Sequence, residues 1–295
     1  MGEVVFLNGD FVPREEAVIS VEDRGFVFAD AIYEVIKCYS GRPFRLQDHL
    51  ERLDMGAEAI RLTIPVTSSR IEQIIERLIA INDLGDEDAS IFIQVSRGPG
   101  PRDHYFPPED DSHSTVVISA TVAPYLDPVK YGSGIAAITV PDRRWQMCNV
   151  KSVGLLLNAL AKEEARAVGA QDAIFVRDGV LTEGASTNFF VVHNGKLVTH
   201  PEGPHILSGV TRRVVLEIAE EMGYPTREVG LPIGSLVEIE EAFLAGTGTE
   251  ILPVANIDGS PVGSGSKGPI TGSIQRAFRT LTRGQEDEIH ERDAV

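Results

Sequence analysis

The chain has 295 residues, 42% of them hydrophobic and 24% charged, which is the composition of a folded globular protein large enough for two modest domains or one large one. A formal net charge of -17 and a pI of about 4.8 argue against nucleic acid or an anionic membrane as the main partner. Cys38 and Cys148 give neither a disulfide framework nor zinc spacing. The acidic start has no apolar secretory segment and no apolar run is long enough to span a bilayer, so a cytoplasmic location and no metal are expected.

In chain order, "VVFLNGDFVP" reads as a hairpin turning on Asn8-Gly9, and "FADAIYEVIKCYSGRPFRL" as two further strands broken at Ser40-Gly41. "LQDHLERLDMGAEAIRL" and "TSSRIEQIIERLIAINDLG" carry helical spacing, the second opened by a Thr/Ser cluster. "ASIFIQVSRG" and "STVVISATVAP" are β-rich and flank a loop of Pro, Gly and charge, "GPGPRDHYFPPEDD". "APYLDPVKYGSG" has the look of a linker. This predicts an N-terminal domain over 1–122, a linker over 123–129, a C-terminal domain over 130–285 and a charged tail over 286–295.

The C-terminal part opens with the strand "GIAAITV" and continues through strands in "DAIFVRDGVLTEGASTNFFVVHNGKLVTH", the helix "TRRVVLEIAEEMG" and the strand "EAFLAG". Strands and helices mixed without strict βαβ alternation favour an α+β architecture over a doubly wound sheet, and no solenoid repeat is present.

"CNVKSVGLLLNALAKEEARAVG" holds Lys151, one of six lysines. Val153, Leu156, Leu157 and Leu160 recur at helical spacing, so a helix is expected to start near Ser152, as its cap or first-turn residue, and stop at Gly169. That puts Lys151 at the positive end of a helix dipole beside apolar neighbours, and both push toward a neutral, nucleophilic amine. The plainer alternative is a surface lysine.

Glu183, in "VLTEGASTNFFVV", ends a strand. It is either a solvated loop carboxylate or a partner for the nitrogen of a pyridine ring. Two segments suit a phosphate: the turn into "ILSGVTRRVV", where the amides of Val210 and Thr211 begin a helix, and "AFLAGTGTE", where Thr247, Gly248 and Thr249 can form an amide nest. Each alone is a common turn. Arg52 in "HLERL" offers a positive charge, or is an ordinary helix arginine. Arg97, Arg102 and His104 cluster in one loop, as a solvated basic patch or as a carboxylate site.

Taken together, "DRGFVFADAIYEVIK", "HLERL", "VSRGPGPRDHYFP", "CNVKS", "TEGASTN", "ILSGVTRRVV" and "TGTEILPV" resemble, in order and spacing over roughly residues 4–280, the fold-type IV pyridoxal-phosphate aminotransferases, and within them the D-amino-acid aminotransferases. The resemblance implies a two-domain fold-type IV enzyme using pyridoxal 5'-phosphate. Lys151 would bind the cofactor covalently and shuttle the substrate proton. Glu183 would pair with the ring nitrogen, Leu207 would back the ring, and Arg52, Val210, Thr211, Thr247 and Gly248 would line the phosphate. Tyr33, Val35, Arg102, His104, Thr247 and Gly248 would face the substrate, with Tyr33, Arg102 and His104 on its carboxylate.

It further implies ping-pong transfer between a D-amino acid and 2-oxoglutarate or pyruvate, and a homodimer whose Arg102 loop reaches the partner's site. Leu156 stands five residues after the lysine, where branched-chain L-specific members have tyrosine. Asp103 and Gly248 depart from the D-type pattern. The alternatives are an L-branched-chain aminotransferase, an (R)-amine transaminase, a 4-amino-4-deoxychorismate lyase or a non-catalytic binding module.

Overall fold

The computed structural model describes residues 3–108 and 113–284, and the charged tail read at 286–295 lies outside the described residues. Contacts divide the chain into two units. The first runs to Pro124 and takes back Val150–Gly154; the second holds Tyr125–Asn149 and the chain from Leu155 onward.

The first unit begins with β1 (Val4–Leu7) and β2 (Asp10–Pro13), joined through Asn8 and Gly9 at φ 50° and 112°. Both turn residues thus adopt the left-handed backbone that a tight hairpin needs. A short helix unread in the sequence, α1 (Arg24–Phe28), is capped by Asp23, whose carboxylate accepts from Gly25 N at 2.8 Å. Then come β3 (Ala31–Tyr39), β4 (Arg42–Pro43), α2 (Leu46–Ala59), α3 (Ser68–Ile81), β5 (Ala89–Ser96) and β6 (Thr115–Val122). The antiparallel sheet runs β2-β1-β6-β5-β3-β4. Thr67 caps α3, and Ile71, Ile74, Ile75 and Leu78 put one buried stripe against Ile36, Ile91 and Ile118 of the sheet. Each such side chain contributes about 1.5–3 kcal/mol on full burial.

In the second unit α4 (Pro128–Ser133) opens inside the stretch read as a linker, capped by Asp127, and leads to β7 (Ile135–Pro141). After α5 (Leu156–Ala167) follow β8 (Asp172–Arg177), β9 (Val180–Gly184), β10 (Asn188–His193), β11 (Lys196–Thr199), α6 (Val210–Glu221), β12 (Thr226–Glu228), β13 (Leu231–Pro232), β14 (Glu241–Gly246), β15 (Glu250–Ile257), β16 (Ser260–Pro261) and α7 (Pro269–Arg283). The main path is β12-β11-β10-β14-β15-β7-β8-β9-β13, and a β9–β10 pairing closes six of these strands into a ring. That closure is made where Asn188 faces Glu183. Parallel β15–β7–β8 pairs beside antiparallel neighbours fit the α+β expectation. Among the described residues no helix is long and apolar enough to cross a membrane.

The lysine segment differs from its sequence reading. Ser152 does not cap a helix: α5 starts at Leu156, with Leu155 before it and no side-chain cap. Residues 151–153 are drawn instead onto β3, where Tyr33 N donates to Lys151 O at 3.0 Å, Val153 N donates to Ala31 O at 3.2 Å and Ile32 bridges Ser152. The expected leucine stripe is also not the buried face. Leu156 and Leu160 are 72% and 49% exposed, while Ala161 and Ala165 face the core.

Leu78→Ala empties a fully buried position of α3. It is expected to lower the unfolding free energy by about 2–5 kcal/mol, read as a shift of the urea midpoint at unchanged slope.

Candidate active site

Alternation along β3 turns Ile32, Glu34 and Ile36 into the core and leaves Tyr33 and Val35 half-buried on the other face. Lys151 joins that strand from the side, and its Nζ lies over the Tyr33 ring, 4.2 Å from the centroid. The helix-dipole argument for this lysine therefore has no counterpart, since the next helix begins five residues later.

Behind Tyr33, Glu34 points toward α2, where the "HLER" spacing sets His49 and Arg52 on one face. Arg52 Nε and Nη2 donate to the two Glu34 oxygens at 2.7 and 2.8 Å, and His49 Nδ1 sits 2.8 Å from Oε2. Burial opposes the Glu34 charge, but the Arg52 fork and His49 prevail and hold its carboxyl down at about 2. Burial pushes His49 below its ordinary value. Arg52 is thus locked by its carboxylate rather than loose on a helix surface. Glu34 and His49 were not singled out from sequence, although their spacing from Tyr33 and Arg52 is visible there.

The basic loop separates into two kinds of residue. Arg97 is buried: it forks onto Asp30 at 2.8 and 3.0 Å and donates to the Ile60 and Arg61 carbonyls at 2.8 and 2.6 Å, closing the end of α2. It has left the carboxylate cluster for a structural role. Arg102 and His104 are exposed, with the His104 ring edge-on to Phe28 at 5.8 Å. The Asp103 carboxylate accepts from Tyr105 N at 3.2 Å within the loop.

In the second unit Glu183 is buried on β9. Arg144 Nη1 donates to its Oε1 at 2.7 Å, Leu207 N to its Oε2 at 3.0 Å, and Asn188 Nδ2 reaches Oε2 at 3.4 Å while also holding the Leu207 carbonyl at 2.8 Å. Arg144 is itself gripped by Asp142 at 2.9 Å through both Nε and Nη2, and Arg177 donates to Asp142 at 3.1 Å. Burial is the largest influence on Glu183 and raises it to about 7 against the pull of Arg144. Neither Arg144 nor Asn188 was assigned a role from sequence. "TEGASTN" ends on Asn188, so a strand-turn-strand reading could have placed it opposite Glu183.

Next to Leu207, α6 starts at Val210 behind Gly209, with no side-chain cap. A Cβ on Gly209 would collide with the Asn188 carboxamide oxygen, so that cap position admits only glycine at this spacing. The amides of the first turn are left for an outside acceptor. Thr247 and Gly248 lie on the separate β14–β15 turn, half-buried and exposed respectively, where the buried Thr249 hydroxyl has no partner among the described residues. A Cβ on Gly246 would press on Thr187 and Thr249 at 3.0 Å. Small residues, an open helix start and an orphan hydroxyl are what an oxyanion can satisfy. An amine on an aromatic face and a buried carboxylate braced by arginine can respectively bond a carbonyl carbon and pair with a ring N–H.

The Amino-transferase class IV family matches residues 31–257. The chain is a class IV aminotransferase. A D-alanine aminotransferase of Staphylococcus haemolyticus is 38% identical to it over 275 residues, covering 93% of this chain and 96% of the relative. Among solved structures, the branched-chain aminotransferase of Thermoproteus uzoniensis with norvaline superposes at TM-score 0.88 and 30% identity, covering 98% and 97% of the two chains. The branched-chain amino acid aminotransferase of Thermobaculum terrenum in its PLP-form superposes at TM-score 0.83 and 26% identity, covering 97% and 96%. The two-domain fold-type IV architecture is therefore that of this aminotransferase.

With its carboxyl raised from 4.5 to about 7, native Glu183 binds more protons than the unfolded chain between those values. Its contribution to stability is full below the lower value and is lost as pH rises through the upper one. In ligand-free protein, the unfolding free energy of wild type relative to Glu183→Gln should fall by about 3 kcal/mol between pH 4 and pH 8. Urea titrations across that range measure it, and a difference that stays flat contradicts the raised carboxyl.

Proposed function

We propose that this aminotransferase transfers the amino group of a D-amino acid to a 2-oxo acid, 2-oxoglutarate or pyruvate, in two half-reactions that use pyridoxal 5'-phosphate. One observation carries the substrate class. The likeness to D-alanine aminotransferases extends over 93% of the chain, and the resemblance implies the D-specific roles for Tyr33, Arg102, His104 and Leu156.

The donor set fits the cofactor. Lys151 would anchor it covalently, Glu183 would pair with its pyridine nitrogen and Leu207 would back the ring. Arg52 and the Val210, Thr211, Thr247 and Gly248 backbones would take the phosphate, where the uncapped α6 start and the Thr249 hydroxyl ask for an oxyanion. When bound, the cofactor supplies an aldehyde for the amino group and a ring that draws electrons from the substrate Cα.

The chain's own residues do the rest. Lys151 Nζ would take the proton that leaves Cα and pass it to the cofactor's aldehyde-derived carbon, and would run the transfer in the opposite direction in the second half-reaction. Arg144 and the Leu207 amide donate to Glu183 and favour its ionised form against the burial that raises it, so that it would accept from a protonated ring nitrogen once the cofactor is bound. Tyr33 of one subunit, with Arg102 and His104 from the other, would grip the α-carboxylate and thereby decide which enantiomer presents its Cα–H to the lysine; Val35 lines the same face of β3 as Tyr33. We also propose a homodimer in which the Arg102 loop serves the partner's substrate. Support comes from large apolar side chains left bare on the single chain, among them Tyr105 at 83% and Phe26 at 80% exposure.

A second reading, an L-branched-chain aminotransferase, is favoured by the branched-chain enzymes among the matching structures and by Gly248 in the phosphate turn. D-alanine, L-leucine and (R)-1-phenylethylamine, each offered with 2-oxoglutarate, separate the possibilities. Turnover of D-alanine with little on L-leucine is expected; activity on L-leucine alone would overturn the D-specific reading. Lys151→Ala should abolish turnover altogether, and retained turnover would remove the lysine from its role.

A further inference from the structure

The motif "DRGF" leaves Arg24 without a part in the chemistry above, yet this arginine is only 3% exposed. Its Nε donates to Asp30 at 2.9 Å, and its Nη1 reaches forward to two backbone carbonyls, Asp103 at 2.8 Å and Tyr105 at 3.3 Å. Those carbonyls flank His104 on either side. The guanidinium also lies over the Phe28 ring, 4.6 Å from its centroid, and the same ring packs against His104.

Other residues between 98 and 106 are tied to the same place. Arg24 N donates to Gly98 O at 2.9 Å, and Gly100 N to Glu22 O at 3.1 Å, so the start of the loop runs beside residues 22–24. Further along, the Phe106 ring meets Arg97 at 3.7 Å and Arg24 at 5.9 Å. Asp30 takes both Arg24 and Arg97, and Asp23 fixes the α1 entrance through Ser96 at 2.9 Å and Thr115 at 2.6 Å. Exposed loops of this length normally wander; this one hangs from a buried cation.

We infer that Arg24 is a positioning residue for the substrate-carboxylate loop, pinning the Asp103 and Tyr105 carbonyls so that Arg102 and His104 project in a fixed direction. The inference rests on the proposal that Arg102 and His104 bind the substrate carboxylate. Arg24 acts through the Asp103 and Tyr105 carbonyls rather than on the substrate itself. It removes the cost of ordering the loop at each binding event, so its effect falls on substrate affinity. Lysine at this position keeps the charge but cannot fork between Asp30 and two carbonyls.

The test compares holoenzyme variants Arg24→Lys, Phe106→Ala and Arg102→Ala on D-alanine, with hydrogen exchange of residues 98–106 read in parallel. Phe106 is 46% exposed, so its truncation loosens the loop even if the Arg24 variant misfolds. Expected are a KM raised on the order of tenfold to a hundredfold in Arg24→Lys and Phe106→Ala, kcat changed by less than about threefold, and faster exchange across the loop. If Arg102→Ala raises KM while the other two leave KM and exchange unchanged, the Arg24 inference is overturned and the carboxylate reading survives. If Arg102→Ala leaves KM unchanged, the carboxylate reading fails, and with it the functional role given to Arg24, whatever exchange shows.

Discussion

The setting of Lys151 in the first unit depends on one backbone arrangement, the pairing of residues 151–153 with the N-terminal half of β3. Those hydrogen bonds fix Lys151 against Tyr33. Strand alternation then does the sorting: odd-numbered Tyr33 and Val35 share one face with the lysine, and Glu34 between them is turned inward to hold His49 and Arg52. A one-residue slip of β3 would exchange the two sets and bury Tyr33 and Val35. Ile32 and Ile36, both within the core, make that slip prohibitively costly.

An acidic protein still builds positive sites, and it does so by pairing rather than by surface excess. Arg24 and Arg97 share Asp30, Arg52 forks onto Glu34, and Arg144 with Arg177 brackets Asp142. Removing one member of such a buried pair typically costs about 3–5 kcal/mol because the other charge stays behind. The two buried glutamates show how geometry sets chemistry. Glu34 has both oxygens on one guanidinium and a histidine besides, and it stays ionised far into acid. Glu183 receives one arginine nitrogen, a peptide amide and a more distant Asn188 carboxamide, and burial outweighs them and, with Asp142 nearby, raises it to about 7. A carboxylate poised there is suited to share a proton with a pyridine nitrogen.

Much of this was legible in the sequence, for reasons that differ by residue. The α3 stripe and the Asn8-Gly9 hairpin follow from local periodicity and turn chemistry, so they are readable without the fold. The α6 start behind Ser208-Gly209 is readable for the same reason. Lys151 and Glu183 stand out by their motifs, whereas the dipole argument for Lys151 misjudges its surroundings: Ser152 is recruited by a strand far away in sequence, which no local rule reports. The leucines at 156 and 160 have helical spacing but do not choose which face is buried; the smaller Ala161 and Ala165 pack closer. Arg97 groups with Arg102 by proximity in sequence, and only the fold shows that it turns back to Asp30. Arg144 is invisible in the sequence because its partner lies 39 residues on.

The central claim is that the amine of Lys151 carries the cofactor. Protein loaded with pyridoxal 5'-phosphate, reduced with borohydride and digested for peptide mass mapping, tests it directly. The account predicts a single pyridoxyl tag in the peptide containing Lys151; a tag on any other lysine, or none, would contradict it.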